Sequence, residues 1–171
     1  MKIDLRKDFE KIYAHVVQRV ADYPIYVNIG PGEDDAPISH MTLGYEVNQA
    51  GWVAFVFDTR PDGGPDGEWQ SYIMENCLEC DHWFAAVDAV FEKGEPLELT
   101  LDNGKKKTFG ENDDLVTPFG EMLRKVLVTA RKNRVFAELP LTKKCNFGVE
   151  HHDGYYGWPA YEKRFKDGRV V

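Results

Sequence analysis

Six consecutive apolar residues, Trp52-Val53-Ala54-Phe55-Val56-Phe57, constrain the fold of this chain more than any other stretch. The run is short, rich in β-branched and aromatic residues, and followed by a segment dense in Pro and Gly, so it reads as a strand. Side chains alternate between the two faces of a strand, so one apolar on both faces is central and must be covered on both. A layered arrangement of sheet and helices supplies that cover.

The rest of the chain supplies the layers. Leu5, Phe9, Ile12, Tyr13, Val16, Val17 and Val20 recur at helical spacing, with Asp4 placed to cap the helix and Pro24 to stop it. A second helix is predicted over 81–93, with Trp83, Phe84, Val87, Val90 and Phe91 on one face, Asp81 as N-cap and Gly94 as its end. A third begins at Thr117 as cap with Pro118 in first position, and carries the stripe Phe119, Met122, Leu123, Val126, Leu127 and Ala130. Strands are expected at 25–29, 40–47, 52–57, 69–74 and 145–150. Leu97 to Leu101 and Lys105 to Phe109 form a hairpin around the turn Asp102-Asn103-Gly104. The expectation is a single α+β domain over residues 1–171, a mainly antiparallel sheet of about six or seven strands packed with three helices.

Charge narrows the partners. The net charge of −8 conceals an asymmetry: residues 1–123 hold 24 acids against 10 bases, whereas residues 124–171 hold 5 acids against 11 bases. An acidic surface repels nucleic-acid phosphates and suits a basic protein or a cation. No apolar run approaches the roughly 20 residues of a membrane-spanning helix. Met1 to Lys7 lacks the apolar stretch of a secretory leader, so a cytoplasmic protein is expected. Three cysteines are too few and too odd a number for a disulfide scaffold.

Three stretches have the residue types of a site. Cys77 and Cys80 stand at a spacing that can share a zinc ion, with His82 adding a nitrogen donor. Completion needs Cys145, His151 or His152 to fold back. Redox use of the pair needs lowered thiol pKa values, which the neighbouring Glu79 and Asp81 oppose. Packing as small buried apolar side chains is the competing reading. The segment 58–68 holds Asp58, Arg60, Asp62, Asp66 and Glu68, with Trp69 at its end. Its acids could bind a hard cation, but their spacing is not that of an EF-hand. Long irregular loops inside compact domains are often recognition loops. The third stretch is His151-His152-Asp153-Gly154-Tyr155-Tyr156-Gly157-Trp158. Adjacent histidines on a strand face opposite ways, which separates them as a pair. Tyr155, Tyr156 and Trp158 could form a recognition surface or simply cover the sheet.

Leu43-Gly44-Tyr45-Glu46, the Gly51-Trp52 strand ending Phe57-Asp58-Thr59-Arg60, and the Asp66-Gly67-Glu68-Trp69 return resemble uncharacterised bacterial α+β domains found among immunity proteins of toxin systems. The resemblance covers the middle of the chain and transfers no functional residue. It implies a small cytoplasmic protein that binds and neutralises a partner.

The sequence thus points to a non-enzymatic binding protein without cofactor or metal. Its expected recognition residues are Asp58, Arg60, Asp62, Asp66, Glu68, Trp69, His151, His152, Tyr155, Tyr156 and Trp158, and its expected partner is a protein, for which the acidic surface suits a basic one. The alternative is a metal-dependent hydrolase using His151, His152 and Asp153.

Overall fold

A computed structural model describes residues 1–23, 37–58, 77–151, 162–166 and 169–170. The elements run β1 (Lys2–Asp4), α1 (Leu5–Ala21), β2 (Ile38–Glu46), β3 (Trp52–Asp58), β4 (Leu78–Glu79), α2 (Asp81–Lys93), β5 (Leu97–Thr100), β6 (Lys106–Phe109), α3 (Val116–Lys132), β7 (Leu141–His151), β8 (Glu162–Lys166) and β9 (Arg169–Val170). The strands predicted at 25–29 and 69–74 lie outside the described residues.

Each helix starts where a side chain or a turn can meet its unpaired backbone N–H groups. In α1 the Asp4 carboxylate accepts from the Arg6 amide at 3.1 Å and from the Arg6 guanidinium at 2.8 and 2.6 Å. That side-chain pairing holds the Asp4 carboxyl at about 2. The predicted cap is therefore correct. In α2 it is not: Cys80 is the cap residue, without a side-chain bond, and Asp81 is already helical. Instead the Cys80 amide donates to the Gly51 carbonyl at 2.7 Å, so a tertiary contact fixes the helix start. In α3 the cap also moves. Asp114 Oδ1 accepts from the amides of Val116 and Thr117, both at 3.0 Å, and the helix begins before Thr117. Pro118 is then the third helical residue, still within the first turn where no intrahelical N–H donor is needed.

The helix ends match the pattern more closely. Gly94 closes α2 with φ 65°, in the left-handed region its missing Cβ permits. At the end of α3 the same position is taken by Arg134, at φ 60°. The Arg134 amide donates to the Arg131 carbonyl and the Val135 amide to the Ala130 carbonyl, both at 2.9 Å. These are the two bonds of a Schellman end, built here without its usual glycine. Left-handed backbone costs a non-glycine residue about 1–2 kcal/mol, against which glycine's extra chain entropy of about 0.5–1 kcal/mol must be set. Arg134→Gly is therefore expected to raise stability by about 0.5–1 kcal/mol, read as a higher urea midpoint with unchanged slope.

The single, mainly antiparallel sheet expected from the sequence is corrected to two mixed sheets. The smaller has the order β1-β5-β6, with β1 parallel to β5. The larger has the order β4-β3-β2-β7-β8-β9, with β2 parallel to β7 at its centre. A parallel pair demands a long crossover, and the whole segment from β3 to α3 intervenes between β2 and β7. Strand patterning reports which face is buried and is silent on direction, so pattern alone missed both parallel pairs.

β3 behaves as its composition demands. Val53 and Phe55 enter the main core with Met41, Leu43 and Tyr45 of β2 and Phe147 and Val149 of β7. Trp52, Ala54 and Val56 are buried on the opposite face in a cluster of their own. Helices α1 and α3 pack together and against the larger sheet, while α2 lies against β1 and β5. The predicted α3 stripe is buried throughout. Ile3, Leu97, Leu99 and Phe109 of the smaller sheet belong to the same core. Among the described residues no helix is long and apolar enough to cross a membrane.

Candidate functional site

Of the eleven residues expected to form the recognition surface, two fall within the described residues. Asp58 ends β3, where its backbone pairs with His40. His151 ends β7, paired with Tyr45 of β2. Arg60, Asp62, Asp66, Glu68, Trp69, His152, Tyr155, Tyr156 and Trp158 lie outside the described residues.

His151 is 3% exposed, which removes it from a contact surface and places it inside the protein. Its ring meets the Tyr45 ring edge-on at 5.0 Å, and the Tyr45 hydroxyl donates to the Val116 carbonyl at the start of α3. Glu46 Oε1 lies 3.5 Å from His151 Nε2 and accepts from the amides of Asn48 at 2.5 Å and Gln49 at 3.3 Å. Burial works against the charged Glu46 carboxylate. The His151 ring and those two amides outweigh it and hold the carboxyl below its usual range. Among the described residues, Glu46 Oε2, both side-chain polar atoms of Asn48 and both ring nitrogens of His151 find no hydrogen-bond partner. This is a buried polar knot on the turn between β2 and β3. The sequence reading missed Glu46 and Asn48 as members because a lone acid ending a strand has no distinguishing spacing.

The Cys77–Cys80–His82 string resolves into separate roles. His82 Nε2 and the Trp83 indole N–H each lie 2.9 Å from a different oxygen of Asp8 on α1. Asp8, buried at 7% exposure, thus ties α1 to the first turn of α2. Lys11 reaches from the same helix to the Glu79 carbonyl at 2.9 Å. Burial pushes the Cys80 thiol up to about 12 and raises Cys77 as well, the opposite of what thiolate chemistry requires. Cys145 lies on β7, far along the sheet order from β4, and is itself pushed up to about 11 by burial. Among the described residues no three His, Cys, Asp or Glu side chains converge as metal ligands.

A third polar chain crosses β2 and β7. Ser39 Oγ lies 2.9 Å from His40 Nδ1, and Asn146 Nδ2 lies 2.9 Å from His40 Nε2. An amide N–H on Nε2 makes that nitrogen the acceptor and puts the ring proton on Nδ1, facing the serine oxygen. In this arrangement the imidazole is a donor to Ser39 and not the base a nucleophilic serine needs.

On the surface the clearest pattern is on α2. Asp81, Asp88 and Glu92, at spacings of seven and four, line the helix side away from its buried Trp83, Ala86, Val87 and Val90. Glu79 and Glu95 extend the acidic run at either end, and among the described residues none of the five side chains has an ion-pair partner. Lys93 is the one lysine or arginine from 79 to 95. Like charges at i,i+4 oppose helix stability by about 0.2–0.5 kcal/mol per pair. A stripe of this kind is therefore retained against a small folding cost. The chain was compared with family models, curated proteins and solved structures, and none of the three comparisons found a match.

Proposed function

We propose that this is a non-enzymatic binding protein that neutralises a basic partner protein, in the manner of an immunity protein. Its contact surface includes the acidic side of α2; the acidic segment 58–68, expected from the sequence to take part in recognition, lies outside the described residues apart from Asp58. The observation that carries this reading is the unpaired stripe Asp81, Asp88 and Glu92 on an ordered helix. Fixed carboxylates without internal partners generate a field that steers a cationic protein into contact. The reactive-looking groups have internal tasks: Asp8 joins two helices, Glu46 holds a turn, and Cys80 packs in the core.

Triple reversal to Asp81→Lys, Asp88→Lys and Glu92→Lys tests this reading, because it changes exposed or half-buried positions and leaves the helix's apolar face intact. Affinity capture from the native source, with the retained proteins identified by mass spectrometry, is expected to yield a basic protein with the wild type. The variant, checked for unchanged circular dichroism, is expected to lose it. Retention of the same proteins by both would refute the assignment of this surface.

One observation favours a second reading. A buried carboxylate 3.5 Å from an imidazole is an arrangement that orients histidine for acid–base or ligand duty, as a metal-dependent hydrolase using His151, His152 and Asp153 would require. Elemental analysis of the purified protein separates the two. A stoichiometric ion that disappears in His151→Ala supports the hydrolase and counts against the binding protein.

A further inference from the structure

The C-terminal end of α3, the turn after it and the start of β7 border an open cleft of about 370 Å3. That is within the range of about 300–1,000 Å3 typical of small-molecule sites. Arg131, Arg134 and Lys143 stand around it as exposed cations, and Phe136, Phe147 and Cys145 contribute apolar lining. The charge is not neutralised from within. From residue 124 to residue 145 the chain has seven bases and the single acid Glu138, which does not line the cleft. Neighbouring bases on α3 are committed elsewhere, Arg124 to Glu121 at 3.0 Å and Lys125 to Asp102. By contrast, among the described residues Arg131, Arg134 and Lys143 have no carboxylate partner. Burial keeps the Cys145 thiol neutral, so it adds no opposing charge.

Two features tie the arginines to the cleft. The Arg131 guanidinium lies over the Phe147 ring, 5.0 Å from its centre, in a cation–π contact with the aromatic lining. Phe147 in turn packs on Phe136 at 5.4 Å. Arg134 occupies the left-handed position of the Schellman end, where glycine would be less strained. A strained residue kept beside a cleft is an argument that its side chain is used there.

We propose that this cleft binds a small phosphomonoester, its dianionic phosphate held by Arg131, Arg134 and Lys143 and its organic body laid against Phe136 and Phe147. Guanidinium groups present paired donors that match phosphate oxygens, and three cations match a doubly charged group better than a single carboxylate. The site is independent of the acidic surface assigned to partner binding and opposite to it in sign.

Phenyl phosphate is the probe, titrated calorimetrically into the full chain at low ionic strength, with inorganic phosphate and benzoate as comparisons. Saturable one-to-one binding of phenyl phosphate is expected, about tenfold or more tighter than either comparison, since only it carries both the dianion and the ring. The double variant Arg134→Gly with Lys143→Gln is expected to bind it about tenfold or more weakly. Its melting temperature should match or exceed that of the wild type, because the glycine relieves strain, so unfolding cannot explain the loss. Absence of saturation, or a smaller difference in either comparison, overturns the proposal.

Discussion

Replacing Gly51 by alanine is expected to destabilise the protein by about 3 kcal/mol or more, from two effects of about 1–3 kcal/mol each. Gly51 has φ 61°, a conformation that any side chain strains. A Cβ there would also stand 2.6 Å from the Cys80 carbonyl oxygen and 3.0 Å from its carbon. Those are backbone atoms at the start of α2, which cannot swing aside as a flexible side chain would. The same junction contains the 2.7 Å bond from the Cys80 amide to the Gly51 carbonyl, so displacement also removes the contact that starts the helix. Urea unfolding measures the effect. A loss below about 1 kcal/mol, the level of ordinary substitutions, would show that the turn is not wedged against α2.

Glu46→Ala should cost about 2–3 kcal/mol at neutral pH, since two buried or half-buried amides lose their acceptor and His151 loses the carboxylate beside it. The pH dependence gives a second signature. The Glu46 carboxyl titrates below its usual 4.5 in the folded protein, so it contributes stability that is complete above 4.5 and is lost as pH falls through the folded value. The alanine variant should therefore show a flatter acid limb than the wild type, the two curves converging at low pH. Parallel curves would mean that the Glu46 carboxyl is not held below its unfolded value in the knot.

What the sequence made legible was what periodicity encodes. The α3 stripe, the α1 stripe apart from Val17 (39% exposed), the doubly buried β3, the hairpin at Gly104 and the stop at Gly94 all follow from local spacing and turn chemistry. Apart from the α3 cap, which moves to the neighbouring Asp114, the misses share a cause. The cap of α2, the parallel pairing of β1 with β5 and of β2 with β7, and the Asp8 clasp on His82 and Trp83 depend on partners remote in sequence. Asp8 sits beside buried Leu5 and Ile12 on α1, and its own burial breaks the polar-out rule that the pattern assumes. In the candidate site, His151 was singled out for its neighbours in sequence but acts with Glu46 and Tyr45, which precede it by more than a hundred positions. The acidic asymmetry was visible at once from composition. Its concentration on one side of α2 required the helix register, and the unpaired basic cleft required the turn that follows α3.

The central claim is that fixed surface charge, and not a reactive centre, is what this molecule uses. The association rate constant with its captured basic partner, measured from about 0.02 M to about 0.5 M salt, tests it most directly. Steering by the α2 carboxylates predicts a fall of about tenfold or more across that range, largely abolished in the Asp81→Lys, Asp88→Lys, Glu92→Lys variant. A rate that is the same at both ends of the range would contradict it.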